Sequence, residues 1–262
     1  VYGSNALLGV INVITKRGRD IGGVQASAST GSKDAREGRV TWGNRALNGA
    51  EWLLSATISD APGGSLYFPE FDRPATNHGL TSGTDFDRRK QVFAKGSWDE
   101  FGVTFAHVDR TKGNPTAGYG QLFNDARSRD IDARDMLNAT WQHALSDATD
   151  VTARAFWGRY VSRGDYVYDY PPVTLNRDQF DSAWYGTEVK LVTRQIERHT
   201  LAFGAEFQRD YRDSMRNFDV APYFSYLDDH RSNSRVIRGL PLIVILLRNE
   251  SVLVQTLAAL VI

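Results

Sequence analysis

Residues 151–157 read VTARAFW. Val151, Ala153, Ala155 and Trp157 fall on one parity, and Thr152 and Arg154 on the other. A period of two is the mark of a β-strand whose two faces meet different surroundings. The same alternation recurs on both sides of this stretch. Towards the N-terminus, Leu137, Ala139 and Trp141 oppose Arg134, Asn138 and Gln142, and Phe101, Val103 and Phe105 share one face. Val92, Ala94 and Trp98 share a parity that Lys95 does not, and Trp52, Leu54, Ala56 and Ile58 alternate with Glu51, Leu53, Ser55 and Thr57. Val40 and Trp42, and before them Val24, Ala26, Ala28 and Thr30, repeat the pattern. Towards the C-terminus, Tyr185, Thr187, Val189 and Leu191 oppose Glu188 and Lys190, and Leu201, Phe203, Ala205 and Phe207 oppose Glu206 and Gln208. Nine strands are expected before the pattern ends near Arg212.

The connections alternate in length. Short ones are expected near residues 45–49, 97–100, 143–149 and 194–198, and long polar ones near 59–86, 110–130 and 161–179. The first hairpin, near 31–36, is short but keeps the parity. In an up-and-down meander every second connection lies on the same side, so one end carries tight turns and the other long loops. Transmembrane β-barrels have this asymmetry, with an apolar outer parity and a lumenal parity that tolerates charge. Arg134, Arg154, Glu188, Lys190 and Glu206 fall on the polar parity. Trp98, Trp141, Trp157, Tyr185 and Tyr211 lie towards strand ends, where an interfacial aromatic belt is expected. The competing reading is a water-soluble all-β protein with one wet face. The expected fold is therefore an all-β, transmembrane antiparallel β-barrel, incomplete at nine or ten strands.

Bulk properties exclude several classes. Lys plus Arg and Asp plus Glu both number 31 in 262 residues, so no basic field exists to attract nucleic acid. Cysteine is absent, which removes disulfide scaffolds and thiolate metal sites. No metal-ligand pair, phosphate loop, nucleophile elbow or dinucleotide fingerprint occurs, so no catalytic residue, metal site or cofactor is expected. Asp85-Phe86-Asp87 and Asp228-Asp229 read as solvated loop residues ahead of cation ligands.

Residues 1–16 read VYGSNALLGVINVITK. Gly3 and Gly9 permit close backbone approach, and Val10, Ile11, Val13 and Ile14 suit a strand. Alone, these residues fit a core strand of any α/β protein. The stretch resembles the end of the plug domain in TonB-dependent outer-membrane receptors, which closes on Tyr-Gly, a small residue, Ala, then Gly-Gly-Val-Ile-Asn-Ile and Thr-Lys. Tyr2, Gly3, Ala6, Gly9, Val10, Ile11, Asn12, Val13, Ile14, Thr15 and Lys16 match, while Leu8 replaces the first glycine of the pair.

The resemblance implies a plug end over 1–18, the N-terminal part of a barrel over 19–239, and an irregular apolar tail over 240–262. The tail reads either as non-native or as two short apolar elements. The motif is already under way at residue 1, which fits a piece of a longer receptor. The resemblance further implies residence in the bacterial outer membrane and import of a scarce nutrient such as a ferric siderophore or cobalamin. Energy would come from the TonB complex, and outer-membrane lipid and lipopolysaccharide would surround the barrel. A barrel-anchored adhesion protein and a barrel enzyme are the rival classes. Loops on rigid scaffolds often bind. The ligand contacts expected in the long loops are Tyr67, Arg110, Tyr119, Phe123, Arg127, Tyr166, Tyr168 and Tyr170, whose cations and rings suit an anionic chelate or a corrinoid.

Overall fold

The computed structural model describes residues 13–231, 237–239, 245–248 and 251–253. Nine strands follow one another in chain order: β1 (Gly23–Thr30), β2 (Arg36–Arg45), β3 (Glu51–Ala61), β4 (Asp87–Trp98), β5 (Phe101–Gly113), β6 (Arg129–Ser146), β7 (Thr149–Tyr168), β8 (Thr174–Thr193) and β9 (His199–Ala221). Each pairs antiparallel with the next in one sheet. Beyond β9, the short strands β10 (Ser225–Arg231), β11 (Ile237–Gly239) and β12 (Ile245–Arg248) pair in turn with successive stretches of the β9 edge, and β13 (Ser251–Leu253) pairs with β12. The all-β antiparallel expectation holds. The sheet is open: among the described residues β1 pairs only with β2, and no barrel closes.

The register sets the two faces. Cross-strand partners share a face, so the ladder Leu54–Ala94–Phe105–Leu137–Trp157–Tyr185 runs on one side of the sheet. Ser55–Phe93–Ala106–Met136–Gly158–Trp184 runs on the other. On the first face Val40, Leu54, Val92, Val103, Leu137 and Val189 stand exposed as a continuous band. Only six apolar residues are buried among the described ones: Leu53, Phe86, Ala117, Phe123, Val167 and Ala183. Four of these lie in or beside the long connections. The sheet's largest apolar surface is therefore not covered by the chain's own packing.

That band occupies only the half of the face next to the tight turns. On β7 it runs from Val151 to Trp157, ~20 Å at about 3.3 Å per residue. Aromatic rings mark both borders. Trp98, Phe101 and Trp141 stand beside the Asp99–Glu100 turn. At the other border Trp157 Nε1 donates to Tyr211 Oη (2.9 Å), and Tyr185 and Tyr211 are 5.9 Å apart. Past that border the same face turns ionic. Lys90, Asp109, His107, Asp135 and Arg159 continue the ladder of Val92, Phe105 and Trp157. The opposite face is mixed: Leu53, Phe93, Met136, Phe156 and Trp184 share it with Lys95, Thr104, Asn138, Arg154, Glu188 and Glu206, which stand level with the apolar band.

Strand length rises across the sheet, from 8 residues in β1 through 13 in β5 to 20 in β7 and 23 in β9. The extra length is added at the long-connection end. This corrects one expectation. The stretch 161–179 is not a long loop: β7 runs to Tyr168, β8 starts at Thr174, and only residues 169–173 connect them. The alternation of apolar residues is missing there because ion pairs and tyrosines, not apolar contacts, hold the two strands together. For the same reason β9 does not end near Arg212 but continues to Ala221.

Candidate functional site

Two ends of the sheet carry built structure. At the tight-turn end, the chain reaches β1 across the polar face. Lys95 Nζ donates to Thr15 Oγ1 (3.2 Å), and a single helical turn, α1 (Gly18–Ile21), lies against β2 and β3. Arg19 donates from its backbone N–H (2.9 Å) and its guanidinium (2.8 Å) to the Glu51 carboxylate. Gly18 lies so close that a Cβ would meet the Trp52 carbonyl oxygen at 2.1 Å and that of Asn44 at 2.5 Å. Beside this entry segment the polar face forms a cavity of about 500 Å³, lined in part by Arg19, Glu51, Lys95, Thr140 and Gln142. Gly18→Ala is expected to push α1 off the sheet and lower stability by about 1–3 kcal/mol, because the obstacle is backbone. Denaturant unfolding measures this, and an unchanged midpoint would show that the segment is not held there. Of the plug-end motif, residues 1–12 lie outside the described residues, while Val13–Lys16 form no strand and Val13 and Ile14 are exposed, against the strand expected there.

At the other end, residues 62–86 and 114–128 fold into one packed unit over the ends of β4 to β7. Phe71 stacks on Phe123 at 4.3 Å, and Phe68 meets Phe123 edge-on at 5.9 Å. Backbone bonds tie the unit down: Gly113 N–H donates to the Phe86 carbonyl (2.8 Å) and Leu122 N–H to that of Val167 (2.6 Å). Ser82 N–H donates to Asn124 Oδ1 (2.8 Å), which links the two connections directly. Asp85 accepts from Lys112 (2.5 Å) and lies 3.6 Å from Lys33, while Asp87 accepts from Arg110 (2.6 Å). The carboxylates of Asp85 and Asp87 are thus occupied by cationic side chains. Among the described residues there is no cluster of three or more His, Cys, Asp or Glu suited to a metal ion.

The expected ligand contacts all lie at this end, but not as one group. Tyr119 is 98% exposed and Tyr170 is also outward. Tyr67 is exposed and donates from its hydroxyl to Asp72 (3.0 Å). Arg127 is paired with Asp125 (2.6 Å). Phe123 is only 8% exposed and is the centre of the loop core, so it packs loops instead of offering a ring to a ligand. Arg110, Tyr166 and Tyr168 are strand residues and not loop residues, and all three stand on the polar face. Tyr168 stacks parallel on Tyr170 at 5.2 Å, and Tyr166 Oη donates to Asp130 (2.8 Å).

The register adds residues that loop reading did not single out. Tyr160 Oη donates to Asp132 (2.7 Å), Asn176 donates to Asn217 (3.0 Å) and Asp219 (2.9 Å), and Asn217 also donates to Asp178. These line the polar face with Tyr166 and Tyr168. Their signal was the even parity of β7 from Arg154 onward, hidden by the absence of apolar partners.

No family model, curated protein or solved structure matches the chain.

The chemistry of this rim is that of a binding surface. Burial first, then the bond to the Asp130 carboxylate, pushes the Tyr166 phenol above its usual range. It therefore stays a neutral donor and stacking surface at physiological pH. Asp85 is held below the usual carboxylate range chiefly by the Lys112 hydrogen bond, against a smaller opposing effect of burial. A depressed folded-state value contributes stability that is present above the unfolded value of about 3.9 and is lost as pH falls through the folded one. Pepsin cleavage within residues 62–86 is accordingly expected to begin only below about pH 4 in the native protein. Lys112→Met should allow it already at about pH 5, because the cation that holds Asp85 is gone. Equal cleavage profiles would remove Lys112–Asp85 as the latch.

Proposed function

We propose that this chain is part of an outer-membrane β-barrel of the TonB-dependent receptor kind, taking up a scarce nutrient captured at the long-connection end. The observation that carries the reading is the contrast between faces. One carries Lys95, Arg154, Glu188 and Glu206 among scattered apolar side chains at the level where the other is an uncharged apolar band with aromatic residues at both borders. Lipid on one side and a wet lumen on the other call for that distribution. A water-soluble sheet that left so large an apolar face bare would aggregate or seek a partner. No helix among the described residues is long and apolar enough to cross a membrane, which leaves strand spanning open.

The placement of Thr15–Ile21 supports the plug-to-barrel junction read from the resemblance of residues 1–16. The segment enters β1 over the polar face at the tight-turn end, where a domain filling the lumen would hand the chain to the wall. Tyr160, Tyr166, Tyr168 and Tyr170, with Arg110 and Asn176, form the proposed first contact surface for a bulky polar nutrient such as a ferric siderophore or cobalamin. The mechanism needs no covalent step: capture at the rim, then movement of the plug driven through TonB.

The test is uptake of radiolabelled ferric siderophore or cobalamin by cells carrying the gene, with and without a working TonB. Uptake that stops without TonB supports the reading. Surface binding with no TonB-dependent uptake would favour a barrel-anchored adhesion protein and overturn it.

A further inference from the structure

On the polar face above Trp184, the side-chain donors of the rim network are engaged within the wall itself. Tyr160 and Tyr166 donate their hydroxyl protons to Asp132 (2.7 Å) and Asp130 (2.8 Å). Asn176 and Asn217 exchange amide hydrogen bonds of 3.0 Å in both directions. Their second N–H groups go to Asp219 (2.9 Å) and to Asp178. An amide has two N–H donors and a phenol one, so these four side chains keep none for a ligand. What they leave is a surface of acceptor oxygens.

The charge of the surface agrees. Above Trp184 this face of β8 and β9 carries Asp178, Asp213 and Asp219 and no Lys or Arg, and Asp228 of β10 stands across from Asn217. The cations of the same face lie further along the sheet. Arg110 and Arg89 flank Asp87 (2.6 and 3.9 Å), Lys112 and Lys33 flank Asp85 (2.5 and 3.6 Å), and Arg134 lies over the Trp184 ring (5.9 Å). Lys112 and Arg110 also stand across the ladder from Asp130 and Asp132 and offset them in part. Asp178, Asp213 and Asp219 instead face Gly164, Ser182 and Asn176. The negative excess therefore sits on β8 to β10.

These carboxylates are spaced along the wall. Among the described residues no three acids converge as a metal ion would need. Asp130 and Asp178 flank Gly164 from β6 and β8, two strand spacings or ~10 Å apart. Tyr166 lays its ring across that glycine, where a Cβ would strike it. Tyr168 and Tyr170 stack at 5.2 Å on the next rung. One more acceptor belongs to this surface. Gln121, only 7% exposed, is the bridge partner of Tyr168 and shares its face, and its Oε1 is buried without a donor. Such an oxygen costs free energy until a donor reaches it.

We infer that this rim binds an extended, amine-bearing cation, whose ammonium groups meet Asp130, Asp178 and Asp219, and that it disfavours anionic ligands. An ammonium group has three donors and no acceptor, the complement of this surface, and tyrosine faces attract it too. The inference deepens the uptake reading and rests on it for taking this face as the ligand side. It reverses the ligand charge expected from the sequence, since Arg110 and Arg127 are bound to Asp87 and Asp125.

Equilibrium dialysis of radiolabelled spermine against the chain in phosphatidylcholine vesicles tests it. Wild type should bind spermine but neither fully acetylated spermine nor citrate. Asp178→Asn and Asp219→Asn should each weaken binding about tenfold, and Asp178→Glu should restore most of it. Each asparagine keeps the oxygen that Asn217 or Asn176 donates to, so the wall is kept, and far-UV circular dichroism checks it. Asp147→Asn removes the same charge from an exposed turn at the opposite end and should change nothing. No spermine binding by the folded wild type, equal binding of the acetylated form, or an equal loss in Asp147→Asn would each overturn the inference. The uptake reading is decided separately in cells: TonB-dependent uptake without spermine binding sinks this inference alone, and spermine binding without any TonB-dependent uptake sinks the transport reading alone.

Discussion

Val189→Arg will destabilise the sheet in a lipid bilayer by about 2–4 kcal/mol, whereas Val192→Arg on the same strand will change it little. Val189 is 51% exposed in the middle of the apolar band, between Ala153 and Ala205. Val192 has the opposite parity and sits across from Asp150, a half-exposed carboxylate on the wet face that already accepts from Arg194 (2.9 Å). A guanidinium at Val189 must either enter hydrocarbon or drag water to it; at Val192 it meets the wet face. The measurement is urea unfolding from phospholipid vesicles, followed by tryptophan fluorescence. Similar losses for the two variants would mean that neither face meets lipid. In detergent-free water the order of the effects should reverse, since Val189→Arg would then only relieve an exposed apolar surface.

Asp165→Asn will cost about 3 kcal/mol, near the lower end of the range for breaking a buried ion cluster because the arginines keep part of their surface in water. Among the described residues Asp165 is the only counter-charge within bonding distance of Arg177 and Arg129, and Arg163 leans on it from 3.6 Å. Burial alone would raise the Asp165 carboxyl, but the Arg177 hydrogen bond and the surrounding guanidinium charges hold it below the usual carboxylate range. Asparagine keeps the shape and removes the charge, so three cations are left facing one another. Adding Arg163→Gln to Asp165→Asn should recover part of the loss, and a double-mutant cycle measures how much. Strict additivity would show that repulsion is not the cause.

What the sequence disclosed follows from which force holds each segment. Strands β2 to β6 and the turn-side halves of β7 to β9 announce themselves because one parity is apolar, as VTARAFW shows. The tops of β7, β8 and β9 do not. There Asp165 pairs with Arg177 and Asp181 with Arg159 across the ladder, and such pairs look in sequence like the charged residues of a loop. GDYVYDYPP therefore reads as loop although its first five residues, Gly164–Tyr168, are strand. The candidate rim was legible in part. The tyrosines were visible as residues, but their face was not, and Asn176, Asp130 and Asp132 join them only through the register. An aromatic such as Phe123 in a polar loop looks available in sequence, and only the fold shows Phe68 and Phe71 packed against it. Barrel closure has no local signature at all, because it depends on which strands meet at the two edges.

The strand order carries one more consequence. Every strand from β1 to β9 hydrogen-bonds its immediate chain neighbour, and none waits for a distant partner. Each hairpin thus closes over only the turn that joins it, so the entropic cost of assembly is met in small instalments except across residues 62–86 and 114–128. Such a wall can be laid down in the order of synthesis, hairpin upon hairpin. The Asp99–Glu100 and Asp147–Ala148 turns are its natural starting points. The tallest strands come last, when a template of completed neighbours already exists to register them.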